Sequence, residues 1–161
     1  MSRKAVRECS KAIAHKGWSI AFVESATAGR MCAEFSLTPE AGDILKGGIS
    51  CYNVFVKEHI LQVPQELIEA YTPESEEVTE VLAVNAADFF ETEIVVAVTG
   101  LTTAGGSETR EKPIGTMFVH ILMPGTSIAH REVFSGKQEE IVLNCIDKTA
   151  QLILNKLSKQ Y

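Results

Sequence analysis

The residues best suited to chemistry follow the apolar run IAFV, where Glu24, Ser25 and Thr27 precede a helix-compatible segment. A carboxylate that closes an apolar strand loses hydration free energy unless it has a partner or a task. Hydroxyls at such a position either cap the following helix or meet an anion at its free N–H groups. A cap by Ser25 or Thr27 alone is the commoner outcome, and the sequence leaves both roles open.

A second candidate is the glycine-containing stretch GLTTAGGS at 100–107. It nearly matches the phosphate loop GxxxxGK[ST], but Gly106 stands where that loop requires lysine, which excludes a nucleoside triphosphatase. A loop of glycines and threonines can still wrap a single phosphate with backbone N–H groups and hydroxyls. A loop without a ligand is the equal alternative.

Tyr52 and Lys57 form the third candidate, close together after another predicted strand. A lysine there could act as a base if burial lowered its pKa, although most such lysines are solvated. The four histidines lack ligand-type spacing and the four cysteines form no CxxC pair, so the sequence predicts no metal site and no disulfide framework.

The bulk properties limit the class of protein. A length of 161 residues predicts one domain over 1–161. The net charge of −6 and the absence of a dense basic stretch argue against a nucleic-acid partner. No apolar stretch approaches the roughly 20 residues of a membrane span. The first sixteen residues lack the apolar region of a signal peptide, so we expect no membrane association and a cytoplasmic location.

The candidate residues need elements that bring them together. Apolar patterns predict helices up to Gly17, over 27–37, around 57–61, after Pro64, over 75–90 and from about Lys137. Strands are predicted over 18–23, 49–52 and 93–99, the last one central, followed by an antiparallel pair in IGTMFVHILM and IAHREVFSG, with a turn at 38–42.

This alternation predicts an α/β fold, a three-layer α/β/α sandwich around a mixed, mostly parallel sheet. Ligands of open sheets lie beyond the carboxyl ends of the parallel strands, here 24–27, 53–57 and 99–106. The three candidate regions should therefore meet at one edge.

Several stretches match the motifs of one family, in order along nearly the whole chain. AESCTGG appears as VESATAG at 23–29, GGxxxYSNxxK as GGISCYNVFVK at 47–57, VSEEV as ESEEV at 74–78, AVTGIAGPGGG with EKPVGT as AVTGLTTAGG with EKPIGT at 97–106 and 111–116, and FxG as FSG at 134–136. The chain thus resembles the CinA C-terminal domain family, whose stand-alone members include nicotinamide mononucleotide amidohydrolases.

The resemblance implies a five-stranded mixed sheet, hydrolysis of nicotinamide mononucleotide to nicotinate mononucleotide and ammonia without a metal or cofactor, and self-association into a homo-oligomer. It implies catalytic roles for Lys57 and Tyr52, and Ser25 is the candidate catalytic serine beside them. It implies contacts with a small-molecule mononucleotide for a larger set of residues: Glu24, Thr27, Ser50, Thr99, Gly100, Thr102, Gly105 and Gly106. Within that set, Thr27 suits the phosphate, and Glu24 suits a ribose hydroxyl or the orientation of Lys57.

Departures from the motifs bear on activity. The family's serine nucleophile is expected just upstream of Gly47 and Gly48, but the matching stretch EAGDILK at 40–46 contains no hydroxyl. Ser25, Ser50 or Thr27 could replace it from a different backbone position. Two readings follow: an amidohydrolase with a displaced nucleophile, or a catalytically inactive relative that binds a nucleotide or a protein partner. A purely structural subunit is a third.

Overall fold

Helices and strands alternate through the first two thirds of the chain. The computed structural model describes residues 3–159. Its helices are α1 (Lys4–His15), α2 (Arg30–Ser36), α3 (Ala41–Ile44), α4 (Val54–His59), α5 (Gln65–Tyr71), α6 (Glu76–Phe90) and α7 (Gln138–Ser158). Its strands are β1 (Ile20–Glu24), β2 (Leu45–Ser50), β3 (Ile94–Gly100), β4 (Thr116–Met123) and β5 (Thr126–Val133).

The strands form one five-stranded sheet in the order β2-β1-β3-β4-β5. β1 pairs in parallel with both β2 and β3, whereas β4 is antiparallel to β3 and to β5. Only β4 therefore runs against the other four described strands. The predicted mixed, mostly parallel sheet and the central position of β3 are confirmed.

Helices cover both faces because the inner strands are apolar on both sides. Ile94, Val96 and Val98 of β3 pack into one core together with apolar residues of α1 and α7. Val95 and Ala97 of the same strand face a second core built with α6. Side chains alternate along a strand, so an entirely apolar strand has to lie between two layers. The three-layer α/β/α sandwich is confirmed.

Two boundaries differ from the prediction in ways that affect the site. β2 begins at Leu45 rather than at 49, because Gly47 and Gly48 belong to the strand. There, Gly48 lies against Phe22 of β1, whose carbonyl oxygen would be only 3.0 Å from an added Cβ. α2 begins at Arg30 rather than at 27, after a turn in which Ala28 and Gly29 have φ angles of +48° and +93°.

The predicted turn over 38–42 also differs in part, since its last residues begin the short helix α3. This helix packs against α1, and its Ile44 belongs to the first core. The segment therefore lies on the α1 side of the sheet.

The carboxyl ends of the three parallel strands meet, as predicted. The N–H of Ser25 donates to the carbonyl of Val98 on β3 at 2.9 Å, and the N–H of Cys51 donates to the carbonyl of Glu24 at 2.8 Å. At the end of β3 only glycine fits, since a Cβ on Gly100 would lie 2.8 Å from the carbonyl oxygen of Thr116 on β4. The chain therefore leaves β1, β2 and β3 side by side.

Candidate functional site

A cavity of about 210 Å³ lies where β1 and β3 end. The structure brings together six of the predicted site residues in its lining: Ser25, Tyr52, Gly100, Thr102, Gly105 and Gly106. The lining also includes Ala26 and Glu74, which the sequence did not indicate as site residues. The predicted meeting of the first and third candidate regions is confirmed, with Tyr52 joining them from the second.

Ser25 and Lys57 form a direct pair beneath this cavity. Nζ of Lys57 lies 2.8 Å from Oγ of Ser25, 2.5 Å from the carbonyl oxygen of Cys51 and 3.4 Å from that of Tyr52. Lys57 is 1 % exposed and Ser25 6 %. Burial lowers the pKa of Lys57 from its usual 10.5, while Cys51 and Glu74 act in the opposite direction. The pair thus combines a hydroxyl with an amine that loses its proton more readily than an ordinary lysine.

The position of Lys57 follows from the helix that carries it. Asn53 caps α4, because its side chain accepts a hydrogen bond from the N–H of Phe55 at 2.8 Å. Val54 and Val56 pack against the second core and fix the rotation of this short helix. Lys57 therefore extends inward, to the carbonyl groups that follow β2.

Glu24 has a different role from the one expected. Its Oε2 accepts from the N–H of Met31 at 2.9 Å and of Gly29 at 3.2 Å, and its Oε1 accepts from the N–H of Cys32 at 2.8 Å. The prediction that Ser25 or Thr27 caps α2 is wrong, since Glu24 satisfies the free N–H groups of the helix from the end of β1. These bonds stabilise a carboxylate that is only 1 % exposed.

This cap also bears on two expected ligand contacts, which stay predictions. The N-terminal N–H groups of α2 are occupied by Glu24, so they do not offer Thr27 a shared phosphate site. Oγ1 of Thr27 is buried and has no hydrogen-bond partner within residues 3–159. Both oxygens of Glu24 bond to the backbone rather than pointing at a ribose. No hydrogen bond joins Glu24 to Lys57 in the described part of the chain.

Ser50 and Thr99 lie outside the cavity lining. Ser50 is exposed at the end of the edge strand β2, beside Glu24 in the register. Thr99 is fully buried, and its Oγ1 lies 2.8 Å from Oγ1 of Thr79 on α6. Side chains alternate between the two faces of the sheet, and Thr99 lies on the face covered by α6. Its hydroxyl therefore links the central strand to that helix.

The Gly-rich loop forms another wall of the cavity. The N–H groups of Gly105 and Gly106 each donate to a different oxygen of Glu108 at 2.8 Å. These bonds lower the pKa of Glu108. The loop amides predicted to bind a phosphate thus point at an anion, and in this structure that anion is the loop's own carboxylate.

A second network, which sequence reasoning missed, joins this loop to the turn between α5 and α6. Nζ of Lys112 donates to Oγ1 of Thr72 at 2.6 Å, to the carbonyl oxygen of Glu74 at 2.9 Å and to Oγ of Ser107 at 2.9 Å. Ser107 in turn donates to Oε2 of Glu74 at 2.5 Å. Two signals pointed here: Lys112 lies in the EKPIGT segment, and Glu74 stands where the VSEEV motif has valine.

Two classes of site are not found in the described residues. Within 3–159, no group of three or more histidine, cysteine, aspartate or glutamate residues has the geometry to hold a metal ion. None of the helices described is long and apolar enough to cross a membrane.

Known proteins resemble this chain over nearly its full length. Residues 2–157 match the family described as the CinA C-terminal domain. A CinA-like protein of Prochlorococcus marinus is 32 % identical over 150 residues, covering 89 % of this chain and 35 % of that protein. A CinA-like protein of Desulfotalea psychrophila is 30 % identical over 131 residues, covering 81 % of this chain and 32 % of its own length. The chain thus spans about a third of the length of these relatives.

Solved structures agree on the fold. A competence-damaged protein (CinA) superfamily protein from Klebsiella pneumoniae superposes with a TM-score of 0.90 at 20 % identity, covering 97 % of both chains. The competence/damage inducible protein CihA from Agrobacterium tumefaciens superposes with a TM-score of 0.87 at 21 % identity, covering 98 % of both chains. The chain belongs to the CinA C-terminal domain family.

Proposed function

We propose that this chain hydrolyses the carboxamide of a pyridine mononucleotide, nicotinamide mononucleotide being the first substrate to test. The observation that carries the proposal is the 2.8 Å contact between Ser25 and the buried Lys57 at the floor of the cavity. A serine is activated as a nucleophile when an adjacent base accepts its proton, and a lysine of lowered pKa is such a base. Ser25 then takes the place of the serine missing from 40–46.

The geometry supports a reaction in two steps. The Oγ of Ser25 attacks the amide carbon while its proton passes to the neutral amine of Lys57, which then gives a proton to the departing ammonia. Water hydrolyses the resulting ester, with Lys57 again accepting a proton, and releases the carboxylate and free Ser25. Ala26 lines the cavity beside the nucleophile, and no acceptor for its N–H occurs within residues 3–159. This N–H is suited to the oxyanion of the intermediate.

Tyr52 and the loop suit the rest of such a ligand. The side chain of Tyr52 is 61 % exposed at the cavity rim, where a planar heteroaromatic ring could stack on it. The Gly105 and Gly106 amides suit the phosphate once Glu108 leaves them. Self-association into a homo-oligomer remains part of the proposal.

One observation favours the alternative, a relative that binds a nucleotide without hydrolysing it. Ser25, Cys51 and Tyr52 supply one oxygen for each of the three protons of a charged Lys57 ammonium. A lysine held in this way would only stabilise the floor of the cavity. The two roles differ in protonation state, so activity measurements separate them.

The test is ammonia release from nicotinamide mononucleotide by the purified protein, beside Ser25→Ala and Lys57→Ala, with binding followed by thermal shift. We expect each substitution to reduce the rate by about 10³-fold or more. Ser36→Ala and Lys46→Ala are matched controls, because Ser36 and Lys46 are exposed, and they should leave the rate unchanged. A thermal shift without ammonia release would instead support the alternative, a catalytically inactive relative that binds the nucleotide.

A further inference from the structure

The cavity lining carries a carboxylate that the proposed chemistry does not use. Glu74 lies in the turn between α5 and α6, half-buried, and lines the same cavity as Ser25. Burial lowers the pKa of Lys57, and the smaller effect of the Glu74 charge raises it. A ligand that fills this cavity can therefore contact both Glu74 and Ser25.

The carboxylate is held in place without a direct ion pair to any described residue. The Lys112 ammonium is nevertheless close, since burial lowers its pKa and the charge of Glu74 acts in the opposite direction. The Ser107 hydroxyl donates to Oε2, and Lys112 fixes Ser107 and the backbone of Glu74. Among residues 3–159, the salt bridges do not include Glu74, and no hydrogen bond to its Oε1 is present. Glu74 therefore offers the cavity a fixed negative charge and an available acceptor.

The Glu74 carboxylate can distinguish the substrate of the proposed reaction from its product. The N–H groups of a carboxamide can donate to Oε1. The cationic ring of an N-glycosylated pyridine is attracted to the charge in substrate and product alike, so the difference between them comes from the amide and the acid group. The carboxylate product has no such donor and brings a like charge against Glu74. Specificity of this kind rests on repulsion of the wrong ligand as much as on attraction of the right one.

We propose that Glu74 is the specificity-determining residue of this cavity, one that selects neutral carboxamides attached to cationic rings and repels the corresponding carboxylates. This inference rests on the proposed function and deepens it. Ser107 and Lys112 are positioning residues, since they reach the ligand only through Glu74. The negative charge also favours release of the acid formed by hydrolysis.

The experiment compares the dissociation constants of nicotinamide mononucleotide and nicotinate mononucleotide by calorimetry. The acid is titrated into the wild-type protein, and the amide into Ser25→Ala so that it is not consumed. Each titration is repeated with Glu74→Gln, which keeps the size and the Ser107 contact but removes the charge. Glu77→Gln is the matched control. It removes the same charge, but Glu77 is exposed in the first turn of α6 and does not line the cavity.

We expect the wild-type preference for the amide to be at least tenfold, and Glu74→Gln to reduce it about tenfold, mainly through tighter binding of the acid. The inhibition constant of the acid in the ammonia assay should fall by the same factor. Ser107→Ala should give a smaller change in the same direction, and Glu77→Gln none.

The outcomes separate this inference from the proposed function. An unchanged amide-to-acid ratio in Glu74→Gln, with ammonia release intact, overturns the role of Glu74 alone. An equal change in Glu77→Gln overturns it as well, because the effect is then one of overall charge. A reduced ratio in a protein that releases no ammonia supports Glu74 as a selector in a binding domain. Failure of both nucleotides to bind overturns both proposals.

Discussion

The two walls of the cavity are built by different means. On one side Ser25 and Lys57 are buried, and their polar atoms bond to groups fixed by β1, β2 and α4. On the other side the loop carrying Gly105 and Gly106 is exposed, and its amides are occupied by Glu108 from the same loop. The first wall is preorganised, whereas the amides of the second are occupied by an internal anion that a phosphate ligand would have to replace.

This difference suggests that the two walls have different roles, one in the reaction and one in ligand recognition. A buried wall can keep a hydroxyl and an amine in reacting distance, because packing leaves them no other arrangement. An exposed loop can change its contacts at little cost, which suits the recognition of a phosphate. Substitutions in the buried wall should therefore act on rate and stability, and substitutions in the loop on affinity.

The largest effect expected from the buried wall is on the pH dependence of the rate. Only the neutral amine of Lys57 accepts the serine proton, so kcat/KM should rise about tenfold per pH unit at low pH. Burial lowers the pKa of Lys57 from 10.5, so the rate should level off below that pH. Glu74→Gln should move the plateau to still lower pH, because Glu74 raises the pKa of Lys57. A rate that stays flat between about pH 6 and 10 would contradict Lys57 as the base.

The same shift has a consequence for stability. The unfolded chain binds the Lys57 proton more tightly than the folded chain, so unfolding takes up a proton between the two pKa values. The free energy of unfolding therefore contains a contribution that is present above pH 10.5 and is lost as the pH falls through the folded pKa. Urea unfolding of wild type and Lys57→Met measures it, and the difference in favour of wild type should grow with pH. If the free energies of unfolding of the two proteins change with pH in parallel, burial of Lys57 does not lower its pKa.

The next effect concerns the cap that supports the buried wall. Glu24→Ala removes the acceptor of three N–H groups at the start of α2 and should lower the free energy of unfolding by about 2–3 kcal/mol. Denaturant unfolding gives the value. Glu139→Gln, at a carboxylate whose side chain is 71 % exposed, should change it by no more than about 0.5 kcal/mol. Equal effects of the two substitutions would mean that Glu24 is not a structural cap.

A smaller effect is expected from the loop. Glu108→Ala frees the Gly105 and Gly106 amides and should tighten the binding of inorganic phosphate by about three- to tenfold, with no change in the unfolding midpoint. Glu111→Ala removes the same charge from the same loop without touching these amides. If both variants bind phosphate equally well, overall charge explains the gain and the amides do not.

The sequence predicted the layers, the central strand and the antiparallel pair, because period and polarity decide them. The stretch at 93–99 is apolar on both faces, so it had to be central, and the carboxyl ends of β1, β2 and β3 had to meet. The contact between Ser25 and Lys57 was not predicted as a contact. It joins residues 32 positions apart and depends on the rotation of α4.

The role of Glu24 shows where sequence reasoning fails. From the sequence, a carboxylate before a helix indicates a ligand-binding group, and a serine or threonine indicates the helix cap. The turn at Ala28 and Gly29 delays the helix to Arg30 and brings its first N–H groups back to β1, within reach of Glu24. Glu74 was missed for a related reason, because only the folded turn places it in the same cavity lining as Ser25.

The smallest effect concerns that turn, on which the buried wall depends. Ala28 adopts a φ of +48°, a conformation that costs an L-residue with a Cβ roughly 1–2 kcal/mol and glycine almost nothing. Part of this gain is offset by the greater freedom of glycine in the unfolded chain, so Ala28→Gly should raise the free energy of unfolding by about 0.5–1 kcal/mol. Ala33→Gly, on the exposed side of α2, should lower it by about 1 kcal/mol. If Ala28→Gly destabilises as much as Ala33→Gly, the turn is not strained. If Ala28→Gly stabilises the protein without changing the rate, the buried wall tolerates a more flexible turn. The geometry of the buried wall is then maintained by Glu24 instead.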